Sequence, residues 1–441
     1  MVLKHFERIW QSETIRKRIL VTLALVGVYK FLSILPVPGV NVSSLAAFQE
    51  YFRLQPGLAF FSGLLGGGLE NFSIVLMGLA PYINATIIMQ LMAVIVPKLE
   101  ALKKEGEQGQ KKINIYTRYL TLPLALAQSY GMIYLMNSLL GGQGPNLINT
   151  SDFWGTMLPA MIVVTAGTYL LLWLGDLITE SGLGNGTSII IFAGVLAGVP
   201  TSLLSLIGAG NYPLLVLLTT LTIGVIYVII LFTEGYRKIP LIYTRTGREE
   251  RSYFPIKVNQ AGMVPIIFAV SLVTFPGLIG QFLVNRSSGN AATIGTFLVE
   301  HFSLNNPSWW MIGTYFLLIL AFSFFYISIV FNPTEVAENV QKRGGYIPGI
   351  RPGTQTADYL QKVSFRLNFW GGSFLALIAV FPYMITKLNN QFGFIDSSGM
   401  QGSHIDFLIS GAGLIIVVGV ILDIVRRIDT EIKSFDYKKF Y

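Results

Sequence analysis

Ionisable side chains deep inside apolar runs are where an ion- or proton-coupled transporter keeps its chemistry, and this sequence places almost none there. Lys30, Asp176, Glu234 and Asp423 are the nearest cases, and all four fall toward the ends of apolar runs. In their place stand aliphatic residues on polar-studded runs. Ile83 and Ile87 are four apart and share a helix face, with Thr86 and Gln90 beside them. Ile191 and Val195 repeat that spacing. Such pairs are also the ordinary signature of helix packing, so a pore lining stays one of two readings. Asn84, Thr86, Gln90 and Asn259 divide the same way, between hydrogen-bonding glue and a weakly held seam that opens. Metal and nucleotide chemistry find no support. There are no cysteines, the histidines (His5, His301, His404) are scattered, and no H-E-x-x-H or G-x-x-x-x-G-K-[ST] occurs. Any ATP hydrolysis must come from a partner.

The elements that would position these residues are membrane helices. Of 441 residues 52% are hydrophobic and only 12% charged, against roughly 25% charged in a soluble domain. Ten apolar spans are expected at about 16–36, 72–97, 115–138, 153–175, 186–206, 213–233, 262–284, 309–331, 368–388 and 406–425. The first follows a basic segment like a signal peptide but lacks a small-x-small cleavage site, so it reads as an uncleaved helix. All but four of the 31 basic residues (Lys30, Arg53, Arg286 and Lys387) fall on one face of this topology. That face is cytoplasmic by the positive-inside rule, with both chain ends inside. The loops 141–149 and 285–306, polar and poor in positive charge, belong to the other side. Two halves of five spans, 1–210 and 211–441, must then be inverted relative to each other, an arrangement common in transport proteins. Glycines within spans, among them Gly184, Gly186, Gly194, Gly198, Gly411 and Gly413, allow backbones to approach closely.

Three further segments stand out. Gly57–Gly68 is apolar and glycine-laden but too short to span a bilayer. At membrane depth such a piece survives only when buried in protein or lining a cavity, which suggests a segment within a pathway. Residues 235–258 read as a β-hairpin, with RKIPLIYT and SYFPIKV flanking a charged turn, RTGREER. In residues 332–367, Asn332-Pro333-Thr334 starts a short helix and IPGIRPG makes a rigid turn that projects Arg351. These loops carry more basic charge and more order than orientation or anionic lipid requires. A docking platform for an acidic protein or phosphate-rich RNA explains the excess better.

The stretches LAPYINATIIMQL, KKEGEQGQKKINIYTRYLT, GLGNGTSIIIFAGVLAG, KVNQAGMVPIIFAVS and YIPGIRPGTQTADYL resemble the SecY family. Its members are the channel subunits of the general protein translocon, and the likeness covers nearly the whole chain. It is to the bacterial form, given the long basic loop after span two and the GIRPG loop. The resemblance implies an all-α polytopic membrane protein, with ten transmembrane helices in two pseudo-symmetric inverted halves around an hourglass pore. It implies a re-entrant plug helix over 57–68, with Phe60, Phe61, Ser62, Gly63, Leu64, Leu65, Gly66, Gly67 and Gly68. It extends the aliphatic pairs to a constriction ring of Ile83, Ile87, Ile191, Val195, Ile267 and Ile416, slightly loosened by valine where isoleucine is frequent. Thr86, Gln90 and Asn259 become the polar seam of a lateral gate between spans two and three and spans seven and eight. Lys238, Arg248, Arg251 and Arg351 become contacts for the SecA motor ATPase or the ribosome. The hairpin tip departs in length from some relatives, which leaves Arg248 and Arg251 less securely placed than Arg351. Implied partners are the SecE and SecG subunits, signal sequences, nascent polypeptides and anionic lipids. The implied setting is the bacterial plasma membrane, and the implied activity is passive conduction, with no enzyme, cofactor or metal. A secondary transporter or another insertase is the competing expectation.

Overall fold

The computed structural model describes residues 12–53, 62, 68–139, 146–150, 152–208, 212–245, 248–286, 290–302, 307–392 and 411–438. The chain runs through α1 (Glu13–Leu32), α2 (Val42–Arg53), α3 (Ala80–Ile95), α4 (Pro97–Lys104), α5 (Glu107–Leu139), α6 (Leu158–Glu180), α7 (Gly186–Gly208) and α8 (Tyr212–Glu234). The strands β1 (Tyr236–Arg245) and β2 (Arg248–Lys257) follow. Then come α9 (Val264–Arg286), α10 (Asn290–His301), α11 (Trp309–Val330), α12 (Pro333–Lys342), β3 (Gly345–Tyr346), α13 (Thr354–Phe392) and α14 (Gly411–Lys438). The helices α1, α3, α5 to α9, α11, α13 and α14 each overlap one expected span.

By length and apolarity alone, four described stretches suffice to cross a membrane: Phe153–Glu180, Leu215–Glu234, Trp309–Lys342 and Thr354–Leu388. The pair α3–α4 makes a fifth if taken as one span bent by 99°.

Several boundaries differ from expectation. Span two was expected to be helical from residue 72, but helix begins only at Ala80. Residues 68–79 form a chain of turns instead, because Gly68, Phe72 and Gly78 all take positive φ (114°, 46° and 53°). Neighbouring chain holds this segment: Val37 donates its amide to the Phe72 carbonyl and Ile74 donates to Leu35, both near 3 Å. A methyl group at Gly167 on α6 would overlap the Ile74 carbonyl, so glycine there lets α6 lie directly on the turns. The 285–306 loop also contains a helix, α10, packed along α9. Its apolar residues recur at helical spacing, though Ile294 and Phe297 face outward. Helix α2 was likewise not expected; it buries Phe48 and Phe52 against Phe72.

The expected hairpin forms, but longer. β1 and β2 pair antiparallel from Tyr236↔Lys257 to Arg245↔Arg248, so most of the expected turn RTGREER is strand. Gly345–Tyr346 adds a third strand on the other edge of β1. α12 starts where expected, its Asn332 side chain accepting the Glu335 amide at 3.4 Å with Pro333 in the first turn.

Helices α1, α3, α5, α6 and α7 pack as one connected group, and α8, α9, α11, α13 and α14 as another. They touch along two seams. On one, α9 meets α3 and α5; on the other, α7 meets α8 and α14. The largest buried apolar cluster draws on both groups, including Leu171, Ile191, Ile266, Ile319, Leu375 and Ile416.

Candidate functional site

Five of the six expected ring residues converge on that central cluster. Ile191 (4% exposed), Val195 (5%) and Ile416 (0%) are buried within it, and Ile83 and Ile267 pack half-buried against it. Helix spacing explains the first pair, since residues 191 and 195 lie one turn apart on α7. It explains less on α3. Ile87 is buried, but outside this cluster, while Ile83 reaches it. Two residues not singled out from the sequence join the cluster, Val75 and Leu79, both fully buried and both from the irregular segment before α3. Their apolar spacing was visible, but reading residues 72–79 as helix hid the fact that the turns carry them inward. The result is a dry plug of branched side chains with an irregular backbone segment laid against it.

Of the expected plug helix, residues 57–61 and 63–67 lie outside the described residues, among them Phe60, Phe61, Gly63, Leu64, Leu65, Gly66 and Gly67. Ser62 and Gly68 are described, and both are buried. The Ser62 hydroxyl accepts the Leu69 amide at 3.3 Å, which ties the segment back to the turns.

Of the expected gate residues, Thr86 and Gln90 lie on α3 and Asn259 just ahead of α9, two helices that meet at one seam. Thr86 donates its hydroxyl to the Tyr82 carbonyl of its own helix at 2.8 Å. Asn259 is buried ahead of α9, and its side chain accepts the Gly262 amide at 2.9 Å. The buried carbonyl oxygen of Gln90 has no hydrogen-bond partner among the described residues, and an unpaired buried acceptor costs about 1–3 kcal/mol. Lys103 on α4 donates to the Ile329 carbonyl of α11 at 2.9 Å.

The expected docking loops have an apolar core of their own, built from Ile239, Leu241, Ile256, Val340, Ile347, Leu360 and Val363. Strand alternation then turns the other face of the hairpin outward. On it the Lys238 ammonium lies 5.5 Å from the Tyr236 ring and 5.0 Å from the Tyr253 ring, both rings exposed. These two tyrosines were not singled out from the sequence; Tyr236 shares the lysine's face by alternation along β1, and the strand register brings Tyr253 from β2. Arg251 is exposed; Arg248 lies at the tip of the ladder, opposite Arg245. Arg351 is exposed on a turn with left-handed Gly349 and Gly353, and its carbonyl accepts the Thr356 hydroxyl at 2.9 Å. At the base of the hairpin, burial and the nearby Arg426 guanidinium hold the Lys257 ammonium below its ordinary range, with Asp423 and Glu234 countering.

A family model described as SecY matches residues 73–425. A Streptomyces scabiei protein named protein translocase subunit SecY is 36% identical, with both chains covered in full. The fold is shared with two solved translocon structures. One, titled for the plug domain of the SecY protein stabilising the closed state of the translocation channel, has a TM-score of 0.64 at 15% identity, covering 93% of this chain and 91% of that one. The other, Sec61 in the canine ribosome-channel complex from the endoplasmic reticulum, has a TM-score of 0.59 at 16% identity with the same coverage.

Proposed function

We propose, from the premise that this chain belongs to the SecY family and is the protein-conducting channel of the Sec translocon, that the central aliphatic cluster is its gate to water. The chain is a mostly helical, non-enzymatic pore and a multi-pass membrane protein of the bacterial Sec translocon. In the proposed mechanism Ile83, Ile87, Ile191, Val195, Ile267 and Ile416 surround the path of the polypeptide. Branched, uncharged side chains close on one another and expel water, yet hold no substrate side chain strongly. Segment 57–68 plugs the outer side, with Val75 and Leu79 carrying the seal on to α3. The halves 1–210 and 211–441 part along the seam between α3/α5 and α9/α11, lined by Thr86, Gln90 and Asn259, and apolar segments of the client pass through it into lipid.

Energy comes from outside the chain. The platform bearing Lys238, Arg248, Arg251 and Arg351 takes the SecA motor or the ribosome, whose acidic or phosphate-rich surfaces suit exposed cations. A related channel is described in its title as ribosome-bound, which supports this reading. SecE and SecG are the companion subunits, and anionic lipids of the plasma membrane lie against the basic cytoplasmic face, where both chain ends sit.

One observation carries the ring assignment: Ile191 and Val195 on α7 are buried together with Ile416 on α14, remote in sequence, and Ile83 and Ile267 pack against them. The absence of cysteine from the sequence allows a clean test. One cysteine replaces Ile191 and, in a second variant, one replaces the exposed Trp173 on α6. A secretory chain carrying a single cysteine is then stalled midway. A disulfide at position 191 and none at 173 is expected; translocation without a crosslink at 191 would remove the ring from the path.

A further inference from the structure

We infer that Lys103 is a latch, its ammonium holding the cytoplasmic end of the proposed lateral gate shut by capping the C-terminus of α11. The last carbonyls of a helix lack intrahelical partners and carry the negative end of its dipole. At Ile329 the sequence enforces that vacancy: the residue four ahead is Pro333, which has no N–H to give. The chain has in any case left the helix by then, with Phe331 extended at φ −102° and ψ 111°. The donor comes from the other helix group. Pro97 opens α4, which turns 99° away from α3 and so travels sideways across the seam. Lys103 lies in its last turn, and its Nζ donates to the Ile329 carbonyl at 2.9 Å. The neighbouring lysines do nothing similar. Lys104 pairs with Glu100, Lys111 with Glu107 and Lys112 with Glu105, all within the same loop region.

The bond also sits where the platform can act on it. Only Phe331 and Asn332 separate α11 from α12, and Phe331, Val336 and Val340 pack into the core beneath the hairpin. A partner that shifts this core moves the Ile329 carbonyl away from Lys103 and frees α3–α4 from α11. Loading of the platform and opening of the gate are thereby joined through one hydrogen bond. The inference rests on the gate lying between α3/α5 and α9/α11.

The test uses the full chain, reconstituted with its membrane subunits and spin-labelled at Ala101→Cys and Ser328→Cys, two exposed sites flanking the latch. In the resting complex, Lys103→Met is expected to shift the distance distribution outward, with the open fraction rising about twofold to tenfold, the range for one lost hydrogen bond. Lys103→Gln, shorter and uncharged, is expected to do the same. Lys103→Arg keeps the donors and is expected to match the parent, as is Lys104→Met, which removes an equal charge one residue away. Parental distances in both Lys103→Met and Lys103→Gln overturn the latch. Stalled clients crosslinked to α3 and α9 in the same preparations report on the gate itself. Crosslinks with unchanged distances sink the latch alone, whereas no crosslinks at either helix sinks the gate reading.

Discussion

The two seams between the helix groups are built differently. Where α7 meets α8 and α14, the joint is reinforced by charge. Arg18 on α1 pairs with Glu431 on α14 across the two groups, while Arg426 on α14 pairs with Glu234 on α8 at 2.6 Å and braces the second group itself. The Arg18 guanidinium also lies against left-handed Gly182, and Thr22 beside it shares a hydrogen bond with Ser181 at 3.1 Å. Where α9 meets α3 and α5, the named polar groups look inward: Thr86 and Asn259 bond within their own segments, and the Gln90 carbonyl has no partner among the described residues. A channel that releases clients sideways needs one edge that parts and one that bends without parting. Under the proposed gate, the edge that parts is the one whose named polar groups bond within their own segments.

The largest effect should come from breaking the interior of the group that must stay rigid. Gly186 at the start of α7 lies so close to α6 that a methyl group there would overlap the Gly175 carbonyl. Gly186→Leu is therefore expected to cost about 3 kcal/mol by overpacking, read as a lower unfolding midpoint of the purified complex and a smaller yield of assembled protein. The opposite sign is expected at the other seam. Gln90→Leu removes an unpaired buried acceptor and should stabilise the closed form by about 1–2 kcal/mol. It should also slow the exit of a weakly hydrophobic signal segment, measured by the time course of its crosslinking to lipid. A destabilised Gln90→Leu channel would mean that the amide finds a partner at the seam, and the contrast between the seams would fail.

Much of this architecture was readable from residue order, and the exceptions share a cause. Apolar periodicity placed ten helices and alternation placed the hairpin, because both patterns are local. The start of α3 was missed because residues 72–79 are as apolar as a helix. What bends them is a run of positive φ angles at Gly68, Phe72 and Gly78, held by bonds to residues 35 and 37. Ile83 and Ile87 looked equivalent by spacing; only packing against α7, α9 and α14 separates them. Tyr236 and Tyr253 became partners of Lys238 through strand alternation and register, and Lys103 became a cap through the bend at Pro97. Resemblance supplied Ile267 and Ile416, which no periodicity singles out.

The smallest expected effect is the most direct measure of the charged seam. Arg18 and Glu431 retain about a third of their side-chain exposure, 35% and 32%, so water screens the pair and its coupling should be about 0.2–1 kcal/mol. A double-mutant cycle of Arg18→Met and Glu431→Gln isolates that value, since methionine keeps an apolar stem while removing the charge. The coupling should shrink as salt rises, because exposed charges are screened within about 10 Å at 0.1 M. The Gln90→Leu gain has no ionic component and should not change with salt. A salt-independent Arg18–Glu431 coupling would mean that packing rather than charge holds this seam, and the two edges would then differ in tightness but not in kind.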